Sequence, residues 1–118
     1  MPQGYKDLVA WQKAMTMVTN VYEVTKSFPS DERFGLISQI RRCAVSVPSN
    51  IAEGQARNTP GEFKQFLGIA RGSLAELTTQ LMIAQNLGYL SNEDPAISMA
   101  DEVGRILTGL IKSLRTNN

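Results

Sequence analysis

The chain of 118 residues is 42% hydrophobic and 19% charged, and its 12 Lys and Arg against 11 Asp and Glu give a formal net charge of +1. That length encloses one modest core and is too short for two, so one domain over residues 1–118 is expected. The charge balance supplies no global attraction to nucleic acid or membrane, and no apolar run approaches the ~20 residues that span a bilayer.

The opening MPQGYKDLVAWQK carries charges through its first apolar stretch, unlike a secretory leader. A first helix is expected over about residues 6–26, with Leu8, Trp11, Met15, Val18 and Tyr22 at the alternating spacing of a packing seam. Phe28-Pro29 ends it, because the residue before a proline is pushed out of the helical region.

Ser30 offers an N-cap and Asp31 and Glu32 suit the positive end of a helix dipole, which predicts a second helix over about 31–56. Leu36, Ile40, Ala44, Val47 and Ile51 share one face of it. Pro48 falls inside and reads as a kink, since the apolar phase continues through Ile51 and Ala52; two shorter helices are the alternative. The lone Cys43 lies at the edge of the apolar face and reads as a small core residue; without an intrachain partner it fits a reducing, cytoplasmic compartment. Gln39, Arg42, Ser46, Asn50 and Glu53 share another face. Such a row suggests an internal hydrogen-bond network, with Ser73 and Glu76 opposite and Arg42 as counter-charge; the alternative is a solvated face short of Lys.

Thr59-Pro60-Gly61-Glu62 is the clearest start signal, combining an N-cap, a proline at the first helical position and a capping-box glutamate. The third helix, about 60–87, carries Phe63, Leu67, Ala70, Leu74, Leu77, Leu81 and Ala84 in strict 4-3 spacing, and Gly88 is a natural left-handed stop. A second row, Ile69, Ser73, Glu76, Gln80, Ile83 and Leu87, suits contact with another helix, inside the bundle or on a neighbouring subunit. A third row holds Lys64 and Arg71 without an acid, and Arg57 precedes it; this is either a solvated face or a small phosphate-contacting patch.

Ser91, Asp94 and Pro95 open a fourth helix, about 95–114, with Met99, Val103, Ile106, Leu110 and Leu114 on its apolar face. Lys112 and Arg115 suit the negative end of its dipole. No segment alternates with period two. Connections of three to six residues pack sequential helices antiparallel, so the expected fold is an all-α, up-down-up-down four-helix bundle.

The chain has no histidine, which removes the commonest general base and metal ligand together. Zinc would need carboxylates almost alone, and the Glu-x-x-His pairs of di-iron bundles are missing. Gly68 and Gly72 lie mid-helix without a P-loop lysine, and Ser46 and Ser73 have no base to activate them. No enzyme, metal, cofactor or small-molecule substrate is expected. Binding or assembly remains.

The segment QIRRCAVSVPSNIAEG, followed by GEFKQFLGIARGSLAELTTQLMIAQNLGYL, resembles the small four-helix-bundle proteins called 23S rRNA intervening sequence proteins, or S23 ribosomal-type proteins. YKDLVAWQKA and FPSDERFGL extend the resemblance over nearly the whole chain. It implies an up-down bundle assembled as a homopentameric ring, encoded in some bacteria within insertions of 23S rRNA genes. It also implies kinship with accessory proteins of diversity-generating retroelements, whose basic pentamers bind nucleic acid and a reverse transcriptase.

Helices one and three carry more than one uncharged stripe, which predicts a homo-oligomer beyond what the resemblance implies. Two functional readings follow. One is weak, sequence-independent binding of RNA or DNA through Arg41, Arg57, Lys64 and Arg71, repeated around a ring. The other is a protein-interaction scaffold or accessory subunit without nucleic-acid affinity.

Overall fold

The computed structural model describes residues 4–115, so residues 1–3 and 116–118 of the expected domain lie outside it, as does the side chain of Arg115. Four helices form among the described residues, and no strand: α1 (Val9–Thr25), α2 (Leu36–Ala56), α3 (Pro60–Asn86) and α4 (Ala96–Arg115). Short 3-10 turns at Gly4–Asp7 and Ser30–Glu32 precede α1 and α2. The helices pack in cyclic order, α1 on α2, α2 on α3, α3 on α4 and α4 back on α1, with the α2–α3 contact the most extensive. The molecule measures 47 × 22 × 19 Å, close to the length of its longest helix.

The cores of α2 and α3 follow the sequence pattern. Ile40, Ala44, Val47 and Ile51 face Leu67, Ala70, Leu74, Leu77, Leu81 and Ala84, all buried. α2 runs unbroken through a buried Pro48, so two shorter helices do not form. Gly54 sets how closely the pair approaches: a Cβ there would stand 2.6 Å from Phe66 Cβ.

The expected stripes of α1 and α4 are each displaced. On α1 the core receives Ala10, Ala14, Met17, Val21 and Thr25, whereas Met15 and Tyr22 are exposed and Leu8, Trp11 and Val18 only half-buried. On α4 it receives Ala96, Ala100, Val103, Leu107 and Ile111. Both helices carry two adjacent apolar stripes, and the stripe with more alanine turns inward because small side chains let helices approach closely.

The ends obey local chemistry. Thr59 Oγ1 accepts the Glu62 N–H at 3.2 Å, and its hydroxyl donates to Glu62 Oε1 at 3.0 Å. The glutamate thus closes on the threonine side chain instead of reaching back to its backbone N–H. Gly88 adopts φ 79°, and the Tyr89 N–H returns to the Ala84 carbonyl at 2.9 Å, closing α3 with a Schellman motif. Asp94 Oδ1 accepts the Ala96 N–H at 2.8 Å at the head of α4.

α2 starts at Leu36 instead of the expected Asp31. Ser30, Asp31 and Glu32 close a separate 3-10 turn, and the chain turns again through Arg33-Phe34-Gly35. Glu32 then caps α2 from outside, its Oε1 accepting the Leu36 N–H at 3.2 Å. Gly35 leaves room for that reach, since a Cβ on it would stand 3.0 Å from Glu32 Oε1.

Candidate nucleic-acid interface

The late start of α2 brings three arginines to the lining of one groove. Arg33 and Phe34 sit in the turn before the helix, and Arg41 and Arg42 follow on its second turn, facing Tyr22 of α1 across a groove of about 440 Å³. Among the described residues no Asp or Glu lines this groove. The neighbouring acids lie outside its lining: Glu32 accepts from the Leu36 N–H and the Tyr89 hydroxyl, Glu23 pairs with Lys26 at 3.2 Å, and Asp31 is exposed in the preceding 3-10 turn.

Arg41 is held in place. Its Nε donates to Thr25 Oγ1 at 2.9 Å, one Nη donates to the Tyr22 carbonyl at 3.3 Å, and its guanidinium lies 4.6 Å from the Tyr22 ring centroid. Thr25 is itself buried, its hydroxyl 2.8 Å from the Val21 carbonyl. Two hydrogen bonds and a cation–π contact fix the fork, and its other N–H groups meet no acceptor among the described residues. Phe34 is 88% exposed, with the Arg33 guanidinium 5.4 Å from its ring centroid.

The four cations expected to act together do not gather. Arg41 and Arg57 stand sixteen residues apart on and just after α2, about 24 Å along its axis. Arg57 is neutralised by Glu53 at 2.9 Å and Glu62 at 3.6 Å and lies 5.2 Å from the Phe66 ring centroid. The Glu53 hydrogen bond and charge, with Glu62 adding, raise its pKa above the ordinary arginine range. Lys64 is half-buried near the start of α3. Arg71 lines a different groove, between α3 and α4, beside Asp101 and Arg105. Arg33 and Phe34 were not singled out in the sequence reading, and Tyr22 was placed in the packing seam of the first helix, whereas it is exposed.

The polar row does not close into a buried network within the chain. Gln39, Arg42, Glu53 and Glu76 are exposed, and Ser46, Asn50 and Ser73 half-buried. The Ser46 hydroxyl donates to the Cys43 carbonyl and Asn50 Nδ2 to the Ser46 carbonyl, both at 2.8 Å, so each is satisfied by its own helix. The row is centred about 120° from the core stripe, where short side chains bond locally and long ones reach water. The group that is buried beside it is Gln80, 8% exposed, whose Oε1 has no partner. Burial raises the Cys43 pKa, opposed by a hydrogen bond from Gln80 and reinforced by Glu76.

Apolar side chains also reach the surface: Val9 and Met15 on α1, Val45 on α2, Ile69 and Met82 on α3, and Leu87 just past its end. Between α1 and α2, Trp11, Met15, Val18, Val45 and Pro48 line an apolar groove of about 340 Å³. Among the described residues no group of three or more His, Cys, Asp or Glu is placed to hold a metal ion, and no helix is long and apolar enough to cross a membrane.

The fold has a close counterpart among solved structures. A protein of unknown function from the S23 ribosomal protein family of Bacteroides thetaiotaomicron VPI-5482 superposes with a TM-score of 0.82 at 23% identity, covering 91% of this chain and 98% of that one. No curated protein shows significant similarity. The profile of the 23S rRNA-intervening sequence proteins matches residues 6–109, which include all four helices except the last turns of α4. On the strength of that match and of the shared helical architecture, the chain belongs to the 23S rRNA-intervening sequence protein family.

Proposed function

We propose that the protein acts without catalysis, as a cytoplasmic homopentameric ring of single-domain bundles that holds RNA or DNA weakly and without regard to sequence. Each subunit is read as up-down-up-down, with α2 bent at Pro48. The observation that carries the nucleic-acid reading is the convergence of Arg33, Arg41 and Arg42 on one groove whose lining holds no carboxylate. Few phosphates are neutralised per subunit, so a single groove binds weakly and repetition around a ring supplies avidity.

The test is a titration of RNA and DNA at about 50 and 200 mM salt. Binding is expected at the lower salt, reduced at the higher, and lost in Arg41→Glu combined with Arg33→Glu. Arg57→Gln, Lys64→Glu and Arg71→Glu should lose less, because these cations stand apart and Arg57 is already paired. No binding at the lower salt rejects the reading. It would favour a protein-interaction scaffold, a role that the exposed Val9, Met15, Val45 and Ile69 also suit.

A further inference from the structure

We infer that the groove between α1 and the turn before α2 takes unpaired nucleotides, with a base stacked on Phe34 and phosphates held by Arg33, Arg41 and Arg42. The inference rests on the nucleic-acid reading above and narrows it from nucleic acid in general to single strands.

A wholly cationic patch recognises phosphates of either strand state. The aromatic residues are what distinguish them. Phe34 is the most exposed large apolar side chain among the described residues, and it contributes almost nothing to the core. The turn that carries it is tied down by Glu32, which accepts from both the Leu36 N–H and the Tyr89 hydroxyl, and the Arg33 guanidinium lies 5.4 Å from the ring centroid. An exposed ring on a tethered turn beside arginines is a stacking platform, because every base offers a π-face once it leaves a duplex. In a duplex those faces are covered by neighbouring base pairs, and only the backbone would meet the groove.

Tyr22 and Arg41 complete the arrangement. Tyr22 is 39% exposed and its ring braces the Arg41 guanidinium. Pinned also to Thr25, Arg41 presents its remaining donors with little conformational freedom left to lose on binding. The groove, about 440 Å³, is open to solvent and large enough for a nucleotide to lie along it.

Stacking is far less sensitive to salt than phosphate contact, so a single strand should keep part of its affinity where a duplex loses its own. The experiment is fluorescence anisotropy of the full chain with labelled oligouridylate and oligothymidylate, each alone and annealed to its complement, at about 50 and 200 mM salt. The strands alone should bind at least about tenfold more tightly than the duplexes. Phe34→Ala should weaken single-strand binding about tenfold with little effect on duplex, whereas Phe34→Trp should retain it. Phe34 packs on no core residue, so circular dichroism should show both variants folded as the wild type.

Equal affinity for strand and duplex, or an unaffected Phe34→Ala, overturns the inference while the broader nucleic-acid reading stands. Absence of all binding overturns both. Displacement of the oligonucleotide by polyglutamate at the same charge concentration as by polyuridylate would also overturn it, by showing a groove that reads acidic chains without stacking.

Discussion

The Tyr89 hydroxyl donates to Glu32 Oε2 at 3.1 Å while Oε1 of the same carboxylate accepts the Leu36 N–H, so one side chain starts α2 and fastens the turn that follows α3. The Phe28 ring, 5.7 Å from that of Tyr89 between centroids, packs beneath this tie. The Glu32 hydrogen bond raises the Tyr89 pKa above the ordinary tyrosine range, with partial burial and the Glu32 and Asp31 charges acting in the same direction. Because the folded value is the higher one, the pair's contribution to stability is complete below about pH 10 and disappears as the pH rises through the folded value. Ultraviolet difference titration against Tyr89→Phe should show this tyrosine ionising above about pH 10, and Glu32→Gln should bring it back toward that value. A Tyr89 that titrates normally in the wild type would refute the tie.

Gly54 is expected to be intolerant of even one methyl group. The alanine Cβ would meet Phe66 Cβ at 2.6 Å and the Phe63 carbonyl at 3.3 Å, and the backbone of α3 cannot yield as a flexible side-chain tip can. Gly54→Ala should cost about 1–3 kcal/mol despite its better helix propensity. An unchanged urea midpoint would mean that the α2–α3 spacing is looser than described.

Thr59→Ala removes the hydroxyl that receives the Glu62 N–H and should destabilise the protein by about 1 kcal/mol, whereas Thr59→Ser should retain most of the stability. Thermal melts of the two variants side by side separate the cap from any general effect of substitution at the α2–α3 turn.

Cys43 should react slowly with iodoacetamide near neutral pH, since burial raises its pKa above 9.0 and keeps the thiol protonated. The neutral thiol's contribution to stability holds below the unfolded value and is lost as pH rises through the folded one. Gln80 opposes the shift through its hydrogen bond, so Gln80→Leu should slow alkylation further. Rapid modification of the wild type at neutral pH would contradict this environment.

The outward stripe of α1 predicts assembly. Met15→Glu with Val45→Glu alters exposed positions beside the apolar groove, so each chain should fold yet separate into particles of 13.0 kDa by light scattering. Wild-type protein that already scatters as a 13.0 kDa particle at micromolar concentration would exclude the oligomer.

What could be read from sequence divides along physical lines. On α2 and α3 the apolar residues at core spacing outnumber any rival stripe, so Ile40 through Ile51 and Leu67 through Ala84 were legible. On α1, Ala10, Ala14 and Met17 compete with Trp11, Met15 and Val18, and periodicity cannot say which stripe meets the neighbouring helices. Ser30, Asp31 and Glu32 carry a helix-start signal, but the turn they form closes before Arg33. A helix placed across them hid the exposure of Phe34, and with it half of the groove. Arg57 was misjudged differently: its pairing with Glu53 four residues earlier is visible in sequence, but Glu62 reaches it only across the folded turn.

Thr25 gives the groove a thermodynamic tie to the far end of α1. Arg41 takes its fixed position only while the last turn of that helix is formed, because its two acceptors are the Thr25 hydroxyl and the Tyr22 carbonyl. A ligand that engages Arg41 in this position therefore selects molecules in which the turn is closed, and by mass action it depopulates the frayed ones. Occupancy of the groove would then be written in the amide-exchange rates of Thr25 and Lys26, on a helix whose backbone need not touch the ligand.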